Sequence, residues 1–297
     1  MTAHDDVQPD SLDAFAPGQV LPSSPTGGGR RPRRVGPIAS NAGAQLDLLE
    51  SPELKRRPAP SERPNLAKRL RSFGYRFTTW DIWSDFIAIA AITIANSIDR
   101  RPLVWRERED QFLKIVAKYK PDEVNVFMAA LGDTIRLLEE EPRDVLGQTF
   151  MELGLGSRWA GQFFTPSDIG ALLAAISLTD ANERIARQGF VTLSEPAVGG
   201  GAIVIGAYNA LLEQGLNPQR QLHVTAGDID LRAVHMAYIQ LSLLHIPGVI
   251  THGNSLSLEM RSTWLTPAHI LGGWDAKLRH WRATDAALEL ISSAQAP

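Results

Sequence analysis

Glu195-Pro-Ala-Val-Gly-Gly-Gly-Ala202 lies between an extended, β-branched run, Phe190-Val-Thr-Leu-Ser194, and a helical pattern from Ile203 to Leu212. Three consecutive glycines between a strand and a helix permit a tight turn and bring backbone N–H groups to a helix N-terminus, where a ligand can be held. One such turn is a weak signal, since any α/β protein can contain one. Working outward, the same rhythm recurs. Leu222-His-Val-Thr-Ala226 and Val249-Ile-Thr-His252 read as further strands, with helices at approximately 202–214 and 230–245 between them. Strands alternating with helices predict βαβ units and a parallel sheet.

Polar residues gather where these strands end. Gly227-Asp228-Ile229-Asp230 places an acid at the tip of the second strand. A carboxylate there accepts hydrogen bonds from nucleoside ribose hydroxyls, or else caps the following helix; with two aspartates, each can take one task. His252-Gly-Asn-Ser-Leu256 follows the third strand and by itself is an ordinary polar cluster. Gly161-Gln-Phe-Phe-Thr-Pro166 reads as a helix start, with Thr165 as N-cap and Pro166 at the first helical position.

Upstream, the character of the chain changes. Residues 66 to about 155 show apolar positions at three- and four-residue steps, as in Val124, Phe127, Met128, Leu131, Ile135 and Leu138, which predicts an all-helical layer. The longest apolar run, Phe86 to Ala95, is about half of the ~20 residues of a bilayer span and reads as a buried helix. Ten of the 19 prolines fall before residue 65, together with Gly27-Gly28-Gly29 and two basic knots, Arg30 to Arg34 and Lys55-Arg56-Arg57. That composition predicts a disordered tail.

The expected organisation is therefore a tail at 1–65, a helical domain at 66–158 and an α/β domain at 159–297, truncated after its third or fourth strand. The 297 residues carry a net charge of −3, so nucleic-acid contact has to use a local patch or a partner. The absence of cysteine excludes disulfides, thiolate metal sites and cysteine nucleophiles; no metal site is read. Met1-Thr-Ala-His-Asp-Asp6 lacks a secretory pattern, and the expected location is the cytoplasm, away from the membrane.

Five segments in this order, Asp144-Val-Leu-Gly147, Gly161 to Pro166, Glu195 to Ala202, Gly227 to Asp230 and Gly253-Asn-Ser-Leu256, resemble the adenine-specific DNA methyltransferases of type I restriction–modification systems. The resemblance implies a partial Rossmann-like sheet that binds S-adenosylmethionine. By position, Gln162, Phe163, Phe164, Thr165, Pro166 and Ser167 would line the cofactor. Glu195, Ala197, Val198, Gly199, Gly200 and Gly201 would hold its methionine part, Asp228 its ribose, and Asn254 would face its adenine ring. DNA is the implied substrate, and a second subunit the implied partner.

The resemblance breaks at catalysis. The family's "NPPF" or "DPPY" tetrapeptide, whose polar side chain and backbone carbonyl accept from the target amine, does not occur. The nearest material is Thr266 to Trp274: Ile270-Leu271 as a short fourth strand, Gly272-Gly273-Trp274 as the turn, and His269 as a substitute base, more often a packed residue in such surroundings. No catalytic residue is assigned. The expected function is an S-adenosylmethionine-binding, adenine-specific DNA methyltransferase-like protein that either uses an unrecognised catalytic loop or has the missing half supplied by a partner chain. The alternative is an inactive cofactor- or DNA-binding regulatory or antirestriction module.

Overall fold

The computed structural model describes residues 64–156 and 178–294, so the tail, the Gly161-to-Pro166 segment and Ser167 lie outside the described residues. The helical layer comprises α1 (Leu66–Leu70), a 3₁₀ turn (Arg71–Arg76), α2 (Thr79–Ile98), α3 (Pro102–Val116), α4 (Pro121–Glu140) and α5 (Val145–Glu152). Prolines at the first helical positions of α3 and α4 start those helices, where a missing N–H costs nothing. From Ile82 to Ile92 every residue of α2 except Ser84 is buried. A helix apolar on all sides belongs inside a fold, and α2 packs between α3 and a helix of the α/β part.

That part contains α6 (Ala181–Gln188), β1 (Val191–Glu195), α7 (Ala202–Glu213), α8 (Pro218–Gln221), β2 (Leu222–Asp228), α9 (Leu231–Leu243), β3 (Gly248–Asn254), β4 (Glu259–Leu265), α10 (Pro267–Leu271) and α11 (Trp274–Ala294). The sheet order is β1-β2-β3-β4. The first three strands are parallel, in the register Glu195 opposite Ala226 and Asp228 opposite His252. Helix α9 packs on β2 and β3 and against α2, and a single apolar core runs through both the helical layer and the sheet.

The fourth strand corrects the sequence expectation. It spans Glu259–Leu265 and runs antiparallel to β3, whereas Ile270 and Leu271 lie in α10. A hairpin replaces a crossover because Asn254 Oδ1 accepts from the Leu256 and Ser257 amides and turns the chain at once. Gly253 sits at a bulge, where a Cβ would collide with the returning carbonyl of Glu259.

The helical layer docks on β4 through charge. Asp99 and Arg108, 3% and 5% exposed, are bonded at 2.9 Å, and Arg101 also bonds Asp99. Both arginines donate to the Thr263 carbonyl of β4, at 3.2 and 3.1 Å, and the Arg108 guanidinium lies 4.2 Å from the Trp264 ring centroid. Burial alone would raise the Asp99 pKa; the Arg101 and Arg108 guanidiniums overcome it and hold the group at about 2.

Removing Arg108 leaves a buried carboxylate short of a partner. Arg108→Ala is expected to cost about 3–5 kcal/mol in urea unfolding. Because the folded pKa lies below the unfolded one, the stability Asp99 supplies is complete above pH ~4 and lost as pH falls through about 2. Acid unfolding of the variant should therefore begin at a higher pH than that of the wild type.

Candidate functional site at the carboxyl rim of the sheet

The glycine turn follows β1. Gly199 and Gly201 adopt φ of +54° and +101°, values that side chains disfavour. The Gly201 N–H donates to the Val198 carbonyl at 2.8 Å, which closes the turn, and the Val198 N–H donates to the Gly227 carbonyl at 2.9 Å, which ties it to β2. The Gly199 N–H donates to Asp228 Oδ2 at 3.0 Å. Glycine turn and strand-end acid are thus in direct contact. Among the described residues the Gly200 N–H makes no bond, and α7 starts with neither a side-chain cap nor an acid in its first turn. Those free N–H groups form a positive helix end.

Asp228 and Asp230 divide their tasks. Asp230 accepts from the Arg232 N–H at 2.9 Å as the N-cap of α9 and pairs with the Arg232 guanidinium, which lies over the Trp80 ring. Asp228 Oδ1 accepts from the Asp230 N–H at 2.9 Å. A carboxylate has about four lone-pair sites. Among the described residues two backbone donors orient Asp228, which leaves two sites for hydroxyls. Glu195 Oε1 accepts from the Ala197 N–H at 3.1 Å, and among the described residues its second oxygen has no hydrogen-bond partner. Both lone pairs of Asn254 Oδ1 serve the hairpin, so its amide can only donate to a ligand. Val198 is buried and offers backbone only.

The residues that hold this turn from behind escaped the sequence reading of the site. Gln240, on α9, donates from Nε2 to Asp144 Oδ1 at 2.8 Å and to the Gly200 carbonyl at 2.6 Å, and its Oε1 accepts from the Leu146 N–H. Asp144 also accepts from the Gly147 N–H at 2.8 Å. A Cβ on Gly200 would fall 2.5 Å from the Asp144 carboxylate, and one on Gly147 nearer still. Burial pushes the Asp144 pKa up against the lowering effect of the Gln240 and Gly147 hydrogen bonds. The Asp144-to-Gly147 spacing, an N-cap and its third helical residue, was the available signal.

A methyltransferase subunit of known structure is similar to this chain. It is the type I restriction–modification system methyltransferase subunit from Streptococcus thermophilus, with 17% sequence identity and a TM-score of 0.35 over 74% of this chain and 45% of that one. The chain thus spans under half the length of that subunit. No protein-family model and no curated protein match it.

Thr266 to Trp274 caps and forms α10 and enters α11. The Thr266 hydroxyl bridges the Ile246 carbonyl and the Gly248 N–H, at 2.8 and 2.9 Å. His269, 1% exposed, is bonded to the buried His223 at 3.0 Å and to Asp275 at 3.2 Å. Burial lowers the His269 pKa despite Asp275, and burial with the adjacent His269 brings His223 to about 4. Trp274 is buried against Phe190. These residues are committed to packing, because the chain after β4 enters a helix rather than a strand end.

The Asp144 knot predicts coupled substitutions. Gly200→Ala and Asp144→Ala should each destabilise, and the double variant should lose about 0.5–3 kcal/mol less than their sum in urea titrations. The raised Asp144 pKa means that its contribution is complete below the unfolded value near 4 and lost as pH rises through the folded value. Asp144→Asn, neutral throughout, should therefore gain on the wild type as pH rises; a pH-independent difference would contradict this.

Proposed function

We propose that the chain is an S-adenosylmethionine-binding, adenine-specific DNA methyltransferase-like protein of the restriction–modification type, acting in the cytoplasm, with its target-amine acceptor contributed by a segment other than Thr266 to Trp274 or by a partner. One observation carries the reading: the Gly199 N–H bonded to Asp228 beside an uncapped α7, at adjoining carboxyl ends of parallel strands. In open α/β sheets ligands bind at that end. Rossmann-like is the description we adopt for this half-sheet.

The cofactor supplies an electrophilic methyl group on a sulfonium. The residues present suit it. Asp228 has two sites open to the ribose diol. The Gly200 N–H and the first turn of α7 suit the methionine carboxylate. The second carboxylate oxygen of Glu195 suits its ammonium, and the Asn254 amide donates toward an adenine ring nitrogen. Gln162 to Ser167 complete the lining in this proposal.

Transfer to adenine needs a positioned acceptor, worth on the order of 3–4 kcal/mol for a single contact of this kind. Thr266, His269 and Trp274 are engaged elsewhere, so the chain binds and orients while another segment or subunit accepts. That same commitment favours the second reading, a non-catalytic cofactor- or DNA-binding regulatory or antirestriction module, whenever no such acceptor is supplied.

Calorimetry on the full chain tests the pocket. S-adenosylmethionine should bind, and Asp228→Ala, checked for fold by circular dichroism, should bind at least about tenfold more weakly, the scale of a lost charged hydrogen bond. Absence of heat with the wild type would overturn every cofactor reading. Tritiated methyl transfer to unmethylated DNA by the chain alone should be at background; incorporation would place the acceptor within these residues.

A further inference from the structure

A cavity of about 470 Å³ opens at the amino end of the sheet, away from the glycine turn, between the end of α6, the residues leading into β1, α8 and the first turns of α11. That size falls in the range of small-molecule sites. Arg187, Arg220 and Lys277 reach it from three separate elements, and all three are exposed. None forms an ion pair with a described residue; Lys277 lies 4.6 Å from the Trp274 ring centroid. Asp285 is the one carboxylate of the lining, so Arg187, Arg220 and Lys277 outnumber it three to one. Three cations lining one cavity make it electropositive, which favours an anionic ligand.

The apolar wall is aromatic. Phe190 and Trp274 are buried and meet edge-to-face at 5.3 Å. Trp281 stands edge-on to Phe190 at 5.9 Å and is only half-buried, so part of its indole faces the cavity. Planar guanidinium forks match phosphate oxygens, and a half-exposed indole matches the face of a nucleobase.

We propose that this cavity binds a nucleotide, its base against Trp281 and its phosphate on Arg187, Arg220 and Lys277, either as a free mononucleotide or as a unit of single-stranded nucleic acid. The site is distinct from the carboxyl rim and does not depend on the cofactor reading.

Fluorescence anisotropy of a labelled short single-stranded DNA, titrated with the full chain, tests it, with unlabelled AMP as competitor. Binding should weaken with salt with a log–log slope of about −0.7, the value for one neutralised phosphate of a single strand. The triple variant Arg187→Ala/Arg220→Ala/Lys277→Ala changes only exposed side chains; it should bind at least about tenfold more weakly and with a flatter slope. Trp281→Leu should weaken binding by about tenfold, while Asp228→Ala should leave it unchanged. Displacement by AMP assigns the site to free nucleotides, and its failure assigns it to the polymer. If neither probe binds, or the triple variant binds like the wild type through the basic knot at Arg30 to Arg34, the proposal is overturned. Loss in the triple variant with Trp281→Leu unaffected would leave an anion site and overturn the nucleotide.

Discussion

One carboxyl group needs two glycines to exist where it does. Asp144 occupies the space that Cβ atoms on Gly147 and Gly200 would fill, and Gln240 binds it to the Gly200 carbonyl. This knot joins the start of α5, the turn after β1 and the middle of α9. The helical layer is therefore part of the support of the glycine turn. With Gly200 fixed from behind, the adjoining Gly199 N–H meets Asp228, and the free N–H groups of Gly200 and α7 are directed by the backbone alone. Preorganisation of this kind spares a ligand the cost of ordering the loop that receives it.

The sheet order then separates two chemistries. Successive parallel strands end in Glu195, Asp228 and Asn254 at one rim, where acids and backbone donors meet. At the other end lie Arg187, Arg220 and Lys277 around tryptophans. β4 closes one edge of the sheet, and its Thr263 carbonyl is covered by Arg101 and Arg108, so an unpaired strand edge becomes a docking surface for the helical layer.

Much of this architecture is legible in the sequence because it is local. The β-branched runs before Glu195, Asp228 and His252, and the three- and four-residue steps of the helical layer, mark elements whose burial follows from periodicity. The meeting of Gly199 and Asp228 was legible for the same reason, since adjacent parallel strands bring their ends together. β4 was not: its first residues, Glu259, Met260 and Arg261, are exposed, so no alternation announced it, and the turn's one signal, the Asn254 side chain, is assigned to the cofactor by the resemblance. Ile270-Leu271 looked like a strand only because it was apolar. Gln240 was invisible as a supporting residue. Its partner Asp144 lies 96 positions away, and no local pattern encodes a contact of that range.

Amide hydrogen exchange on the full chain, with and without S-adenosylmethionine, bears most directly on the claim that the glycine turn and Asp228 receive a sulfonium nucleoside. The account predicts slowed exchange concentrated in the amides of Gly200 to Val204, with the amino end of the sheet unchanged. Exchange at the turn that is indifferent to the ligand, with protection appearing only around Trp281, would contradict it.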